Sequence, residues 1–295
     1  MDAGEQGRDF ATAGEFADTQ DFAFAAGRIA AFFDIDGTLV AGPSLERRLC
    51  WALLRTGKLP AASLLRWGAQ AAWLLMTRGV ERALYSNKLF LAGVPVGCAV
   101  TARAKSPAKL LPAAMNRVVW HARQGHCIVL VSGTLEFLAA EVAEKIESVL
   151  LARGLSADVW CCATQLERRG ERWTGRIAGA TVRGAEKARA MRRFAREQAI
   201  DLAASYAYGN TANDRWMLET VGKAAAVNAD FALARIAKRN DWATLTWSAG
   251  RTDATHGSAV RRSPIWARTA AARASATATR AASSGPATNI PRSKR

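Results

Sequence analysis

Two carboxylates separated by one residue, Asp34 and Asp36, close the apolar run Ala31-Phe32-Phe33-Asp34-Ile35-Asp36-Gly37-Thr38-Leu39. An extended chain alternates its side chains, so the two acids share a face wherever extension continues through both. Gly37 permits a sharp turn, since glycine enters such backbone conformations cheaply. Carboxylates crowded at a strand end repel one another unless a proton or cation lies between them. A hard divalent cation such as Mg2+, which takes oxygen ligands and keeps several waters, meets that need. A plain turn whose acids face water is the competing reading of this stretch taken alone.

Three further segments bear on the choice. Cys127-Ile128-Val129-Leu130-Val131-Ser132-Gly133-Thr134 reads as a second apolar strand, ending in hydroxyls and a glycine and running into a helical pattern over 135–146. That puts Ser132, Gly133 and Thr134 at a helix N-terminus, where free N–H groups favour a phosphate. Simple capping by a hydroxyl is compatible with the same pattern. Gly184-Ala185-Glu186-Lys187 opens a basic amphipathic helix over 188–198. The first turn of a helix favours acids, so Lys187 there points to an anion, although a solvated lysine also satisfies the local pattern. In Ser205-Tyr206-Ala207-Tyr208-Gly209-Asn210-Thr211-Ala212-Asn213-Asp214, a short strand stops at a glycine and a helix follows over 215–221. Asn210 and Asp214 are candidate oxygen ligands for a cation at Asp34 and Asp36; an Asx-capped loop is the alternative.

In this order, DIDGT, VLVSGT, GAEK and GNTAND resemble the four signature motifs of the haloacid dehalogenase superfamily, over residues 28–247. Within it, the chain is similar to the phosphoserine-phosphatase-like hydrolases, which insert a helical cap between the first two motifs. Trp173-Thr174-Gly175-Arg176 and Ala224-Ala225-Ala226-Val227-Asn228-Ala229-Asp230 fit that subgroup too. The resemblance implies a Mg2+-dependent phosphatase working on a small phosphate monoester through an aspartyl-phosphate. Asp34 is then the nucleophile, a known role for a carboxylate, and Asp36 the general acid that later acts as base. Ser132 or Thr134, with Gly133, binds the phosphoryl group, and Lys187 neutralises charge on it and on Asp34. Mg2+ falls to Asp34, the Asp36 carbonyl, Asn210 and Asp214. Asn210 departs from the pattern, because members often carry Asp at this metal position; the site then has one negative charge fewer.

These residues need a scaffold. Strands separated by helical patterns argue for parallel βαβ units, in which ligands gather at the carboxyl ends of the strands, and the four motifs are expected at such ends. The resulting fold class is α/β: a doubly wound parallel-sheet core (residues 28–40 and 124–248) with a helical cap inserted over 41–123. Helices are expected over 44–56, 61–77, 80–91 and 107–123. The segment around Trp67 and Trp73 is strongly apolar, but Arg66 and Gln70 interrupt it and it is too short to span a membrane. Packing within the cap is the plain reading of it. A wall for a hydrophobic substrate, or a membrane-touching surface flanked by Arg55, Lys58, Arg78 and Arg82, is the sharper one. Ser44, Glu46 and Arg47 lie near enough to the first motif to reach a substrate.

The chain of 295 residues carries a formal net charge of +16, to which the Ala/Ser/Thr/Arg-rich segment 251–295 contributes heavily. Its bias predicts disorder and suits loose contact with nucleic acid or an anionic membrane, against the plainer reading of a basic extension without a partner. The acidic, Gly/Ala-rich segment 1–27 lacks the basic start and apolar centre of a signal peptide and is expected to be disordered. Five cysteines, Cys50, Cys98, Cys127, Cys161 and Cys162, show no metal-ligand spacing, which points to a reducing cytoplasm. His121, His126 and His256 form no metal motif. Two readings compete with hydrolysis of a small monoester: the same chemistry on an amphiphilic, phospholipid-like ester, and a non-catalytic binding protein that keeps the fold.

Overall fold

A computed structural model of the chain describes residues 27–79, 87–98, 101 and 108–248. Expectations for the two terminal segments, for most of a helix over 80–91 and for Arg82 therefore lie outside the described residues.

Six parallel strands form the central sheet: β1 (Ala30–Phe33), β2 (Cys127–Leu135), β3 (Val159–Thr164), β6 (Tyr206–Gly209), β7 (Lys223–Val227) and β8 (Ala243–Leu245), in spatial order β3-β2-β1-β6-β7-β8. The chain moves outward from β1 through β2 to β3, then returns to the other side of β1 with β6. That reversal makes a topological switch point at β1, the place where open α/β sheets bind ligands. Register fixes the strand ends there, with Phe33 opposite both Leu130 and Tyr208.

The strand residues serve two cores because their side chains alternate across the sheet. Ala31, Phe33, Ile128, Leu130, Tyr206 and Tyr208 belong to one core. Ala30, Phe32, Val129, Val131 and Ala207 belong to the other. Helix α3 (Pro112–Arg123) covers the first face through Ala114, Met115, Val118 and Val119, joined by α4 (Glu136–Leu151) through Leu138, Val142 and Ile146. Helix α5 (Ala185–Glu197) covers the second through Met191, Phe194 and Ala195, with Leu233 and Ala237 of α7 (Phe231–Arg239) beside it. Between α5 and α7 lies the one-turn helix α6 (Arg215–Leu218), shorter than the expected 215–221.

The insertion begins with α1 (Leu45–Arg55) and α2 (Ala61–Arg78), and among the described residues a 3-10 turn, Leu89–Leu91, follows. Helix α3 packs on β2 and α4, within the same core that α1 enters through Leu45, Leu49 and Leu53. It starts at Pro112, where proline's fixed φ and missing N–H suit a first helical position. The antiparallel hairpin of β4 (Leu166–Arg169) and β5 (Arg172–Ile177) was not expected. It leans on the insertion: Gly93 N donates to Trp173 O at 2.8 Å and Trp173 N to Val94 O at 3.0 Å. Gly175, at φ +79°, passes so close to Leu89 that a Cβ there would lie 2.9 Å from its Cα.

Candidate active site

β1 ends at Phe33, and the next residue, Asp34, is buried at the switch point with its N–H donated to Tyr208 O at 2.9 Å. Strand β6 ends at Gly209, delivering Asn210 and then Asp214 beside it. Strand β2 brings Ser132, Gly133 and Thr134 to the same end of the sheet. Lys187 arrives differently. It comes from the first turn of α5, after the hairpin, rather than from a strand end. It lies on the buried stripe of that helix, one turn before Met191. A lysine on an apolar helix face must find a counter-ion, since burial strongly disfavours an unpaired charge.

It finds two. Lys187 Nζ donates to Asp34 Oδ1 at 2.5 Å and to Asp214 Oδ1 at 2.6 Å, all three side chains being buried. The electrostatics divide the carboxylates. Burial pushes Asp34 up to about 7, since it outweighs the opposing pull of Lys187 and is helped by the nearby charge of Asp214. Asp214 is held below its ordinary value: burial again works upward, but Lys187 and the amides of Thr211 and Asn210 outweigh it. Burial lowers the affinity of Lys187 for its proton, yet the two carboxylates overcome this and raise it. The lysine is therefore a fixed cation.

The remaining oxygens are unevenly occupied. Asp214 Oδ2 accepts from the N–H of Asn210 at 3.0 Å and of Thr211 at 2.9 Å, and from Thr211 Oγ1 at 3.1 Å. With Oδ1 on the lysine, both of its oxygens are engaged. Asp34 Oδ2 accepts a single long bond, from Thr38 Oγ1 at 3.3 Å. Asp36 is only partly buried; its Oδ1 takes the Leu45 N–H at 2.9 Å and its Oδ2 takes Thr134 Oγ1 at 2.6 Å. Thr134 N donates to Ser132 Oγ at 3.2 Å. These contacts separate the two hydroxyls left open by the sequence: that of Thr134 is committed to Asp36, and Ser132 keeps its own proton to donate. Strand β2 continues through Leu135 before α4 begins, so both are strand residues rather than helix caps.

Glycines set the spacing. Gly37 sits at φ +87°, and a Cβ there would come within 2.1 Å of the Asn210 amide, so the β1 and β6 loops touch directly. A Cβ on Gly209 would lie 2.5 Å from that of Asp214. Gly133 is under no such pressure, since its nearest neighbour would be Val182 O at 3.5 Å.

Sequence reasoning missed several contributors. Thr164, the buried last residue of β3, donates to Gly133 O at 2.9 Å and accepts from Val182 N at 3.1 Å, tying the segment before α5 to the tip of β2. Its position at a strand end beside the motif strand was the available signal. Of the three residues expected to reach substrate, Ser44 caps α1, Arg47 is exposed, and Glu46 turns inward to pair with the buried Lys88. Glu46 Oε1 has no hydrogen-bond partner among the described residues, and burial raises the Glu46 pKa against the opposing pull of Lys88. His126 directly precedes β2, and its Nδ1 lies 2.9 Å from Nδ1 of the buried His121. The five cysteines are free.

Among the described residues, no three His, Cys, Asp or Glu side chains form a metal cage. The groups at the switch point that could ligate through oxygen are the lightly occupied Asp34 Oδ2, the carbonyls beside Gly37 and the Asn210 amide, whose nitrogen is the end nearer Gly37. Such a sparse, hard set fits Mg2+, which keeps several of its waters. Asp214, saturated by four hydrogen bonds, fits a role through Lys187 better than direct ligation.

The sequence profile of the haloacid dehalogenase-like hydrolases matches residues 31–219, which include all four motifs and the converging side chains. The chain belongs to that family. A phosphoserine phosphatase of Archaeoglobus fulgidus is 31% identical over 159 residues, covering 54% of this chain and 43% of that protein, so the match spans less than half of this relative's length. The inhibition of morphological differentiation protein of Streptomyces azureus is 28% identical over 234 residues, covering 74% of this chain and 78% of that one. A crystal structure of a protein of unknown function from Bordetella pertussis superposes with a TM-score of 0.59 at 25% identity, covering 74% of this chain and 98% of the other.

Proposed function

We propose that the chain is a phosphatase that hydrolyses a small phosphate monoester through an aspartyl-phosphate on Asp34. The observation that carries this reading is the buried bridge from Lys187 to Asp34 and Asp214, with Asp36 held beside it by Thr134 and the start of α1. A buried carboxylate locked to a cation serves stability poorly, since desolvation offsets most of the attraction. It serves phosphoryl transfer well, where positioning and positive charge are the main requirements.

In the first step an Asp34 oxygen bonds to phosphorus while the ester P–O bond breaks and Asp36 gives its proton to the departing alcohol. In the second, Asp36 takes a proton from water, whose oxygen attacks the phosphorus and releases Asp34 and inorganic phosphate. Ser132 Oγ and the Gly133 N–H are the phosphate donors from β2, Lys187 balances the charge, and Thr134 orients Asp36. Mg2+, held by Asp34, the Asp36 carbonyl and Asn210, would polarise a phosphoryl oxygen. The archaeal relative's name supports an alcohol-phosphate substrate. Glu46, in the first turn of α1, paired with Lys88 and near enough to Asp36 to sense its charge, offers polar groups for the alcohol portion.

Turnover of p-nitrophenyl phosphate with and without Mg2+, in the wild type and Asp34→Asn, tests the reading. Mg2+-dependent turnover that disappears in the variant is expected; equal turnover in both proteins refutes the assignment of Asp34.

A further inference from the structure

We propose that the α1–α2 hairpin of the insertion docks on an anionic lipid surface. Helix α1 turns Leu45, Leu49, Ala52 and Leu53 inward and leaves Trp51 and Leu54 exposed, beside exposed Arg47, Arg55 and Lys58. Helix α2 is held near its start, where Ser63 Oγ donates to Ala92 O at 2.6 Å and Trp67 meets Phe90 edge-on. From Leu65 onward none of its described side chains is buried. Leu65 is 76% exposed and Met76 80%, and with Ala69 and Ala72 they form a stripe at helical spacing, flanked by exposed Trp73 and Leu75. Among the described residues of the cap, the packing that is the plain expectation for this segment leaves these side chains exposed. Contiguous apolar surface of this kind on a folded protein marks an interaction site.

Charge identifies the occupant. Residues 47–79 hold six Arg or Lys and no Asp or Glu. A hairpin that pairs exposed Trp, Leu and Met with arginine and lysine has the composition of an interfacial helix, whose apolar side enters the headgroup boundary while its cations meet anionic lipid. Among the described residues no helix is long and apolar enough to cross a membrane, so α2 lies on the surface rather than through it. The start of α1 holds Asp36, but the exposed α2 stripe and the cations Arg55 and Lys58 are none of the residues placed in the site, so the inference stands or falls separately from the proposed chemistry.

Co-sedimentation of the full chain with vesicles of phosphatidylcholine, alone or mixed with phosphatidylglycerol, tests it. Any attraction of the basic segment 251–295 to anionic vesicles is electrostatic and is screened at about 1 M salt, where the Debye length falls to roughly 3 Å. The salt-resistant fraction therefore reads the apolar face. The wild type is expected to retain such a fraction on mixed vesicles. Leu65→Glu/Met76→Glu should lower its partition coefficient at least about tenfold, with p-nitrophenyl phosphate turnover unchanged. Arg55→Gln/Lys58→Gln should weaken low-salt binding by about fivefold per charge. Undiminished salt-resistant binding in Leu65→Glu/Met76→Glu overturns the proposal, as does a wild type that leaves the vesicles at high salt. It is equally overturned by a wild-type dimer without lipid affinity that this double variant converts to monomer, which would assign the face to a second copy of the chain.

Discussion

Replacing Lys187 by methionine removes the charge at the centre of the site and keeps an unbranched side chain on the buried stripe of α5. Two buried carboxylates, Asp34 and Asp214, then lose the cation that each contacts at 2.5 and 2.6 Å. Removing one partner of a buried ion pair costs about 3–5 kcal/mol. The size of the deficit should depend on pH, because Asp34 is able to escape by taking up a proton. Its pKa, pushed by burial to about 7 with Lys187 present, rises further when that opposing charge is gone. A carboxyl whose folded pKa lies above its unfolded value loses stability as pH rises from the unfolded pKa to the folded one. In the wild type that loss ends near pH 7; in Lys187→Met it continues above. The difference between the proteins should therefore widen above pH 7, by at most about 1.4 kcal/mol per pH unit. Urea unfolding with a chelator present, at about pH 6 and about pH 8, measures it. Turnover should fall about a hundredfold to a thousandfold, as for loss of a main electrostatic group. Adding Asp214→Asn to Lys187→Met should recover part of the stability and none of the turnover. A deficit under about 1 kcal/mol, or one equal at the two pH values, refutes the reasoning.

Three further outcomes follow from the same geometry. Asn210→Asp restores a negative charge beside Asp34, so the Mg2+ concentration for half-maximal turnover should fall and the metal-induced rise in Tm should grow; no change in either excludes Asn210 as a ligand. Gly209→Ala brings a methyl against the Asp214 Cβ and must displace that carboxylate; kcat should drop about tenfold or more with a smaller effect on KM, a drop of about 1.4 kcal/mol or more in transition-state stabilisation. His121 is buried, with Nε2 bonded to Tyr208 O–H at 2.9 Å, and burial, followed by His126, Arg117 and Lys223, holds its pKa well below 6.5. The unfolded chain takes up this proton first as pH falls, so stability should decline below pH 6.5 by up to about 1.4 kcal/mol per unit. His121→Gln should flatten that part of a denaturation profile, and an unaltered slope counts against the assignment.

Much of the scaffold was legible because its signals are local. The AAFF and CIVLV runs are buried on both faces, which leaves no polar side chain within them and gives the continuous apolar reading of a central parallel strand. Lys187 was also legible, and more strongly than the dipole argument suggests. It falls in phase with Met191 and Phe194, so the helix that buries those residues must bury the lysine as well. The hairpin β4–β5 was not legible, since its strands are short and only Gly175 within them is buried. Nor was the shortness of α6, or the docking of α3 on β2 and α4.

The sequence by itself determined which side chains were available for chemistry and the order in which they occur along the chain, because strand ends, glycine turns and helix phase are set by near neighbours. Only the tertiary structure decided which partner each takes: Lys187 reaches across 153 positions to Asp34, and Thr134 across 98 to Asp36. Those pairings depend on strand order and on the close approach of the Gly37 and Asn210 loops. Packing of distant segments sets these, and no local pattern records it.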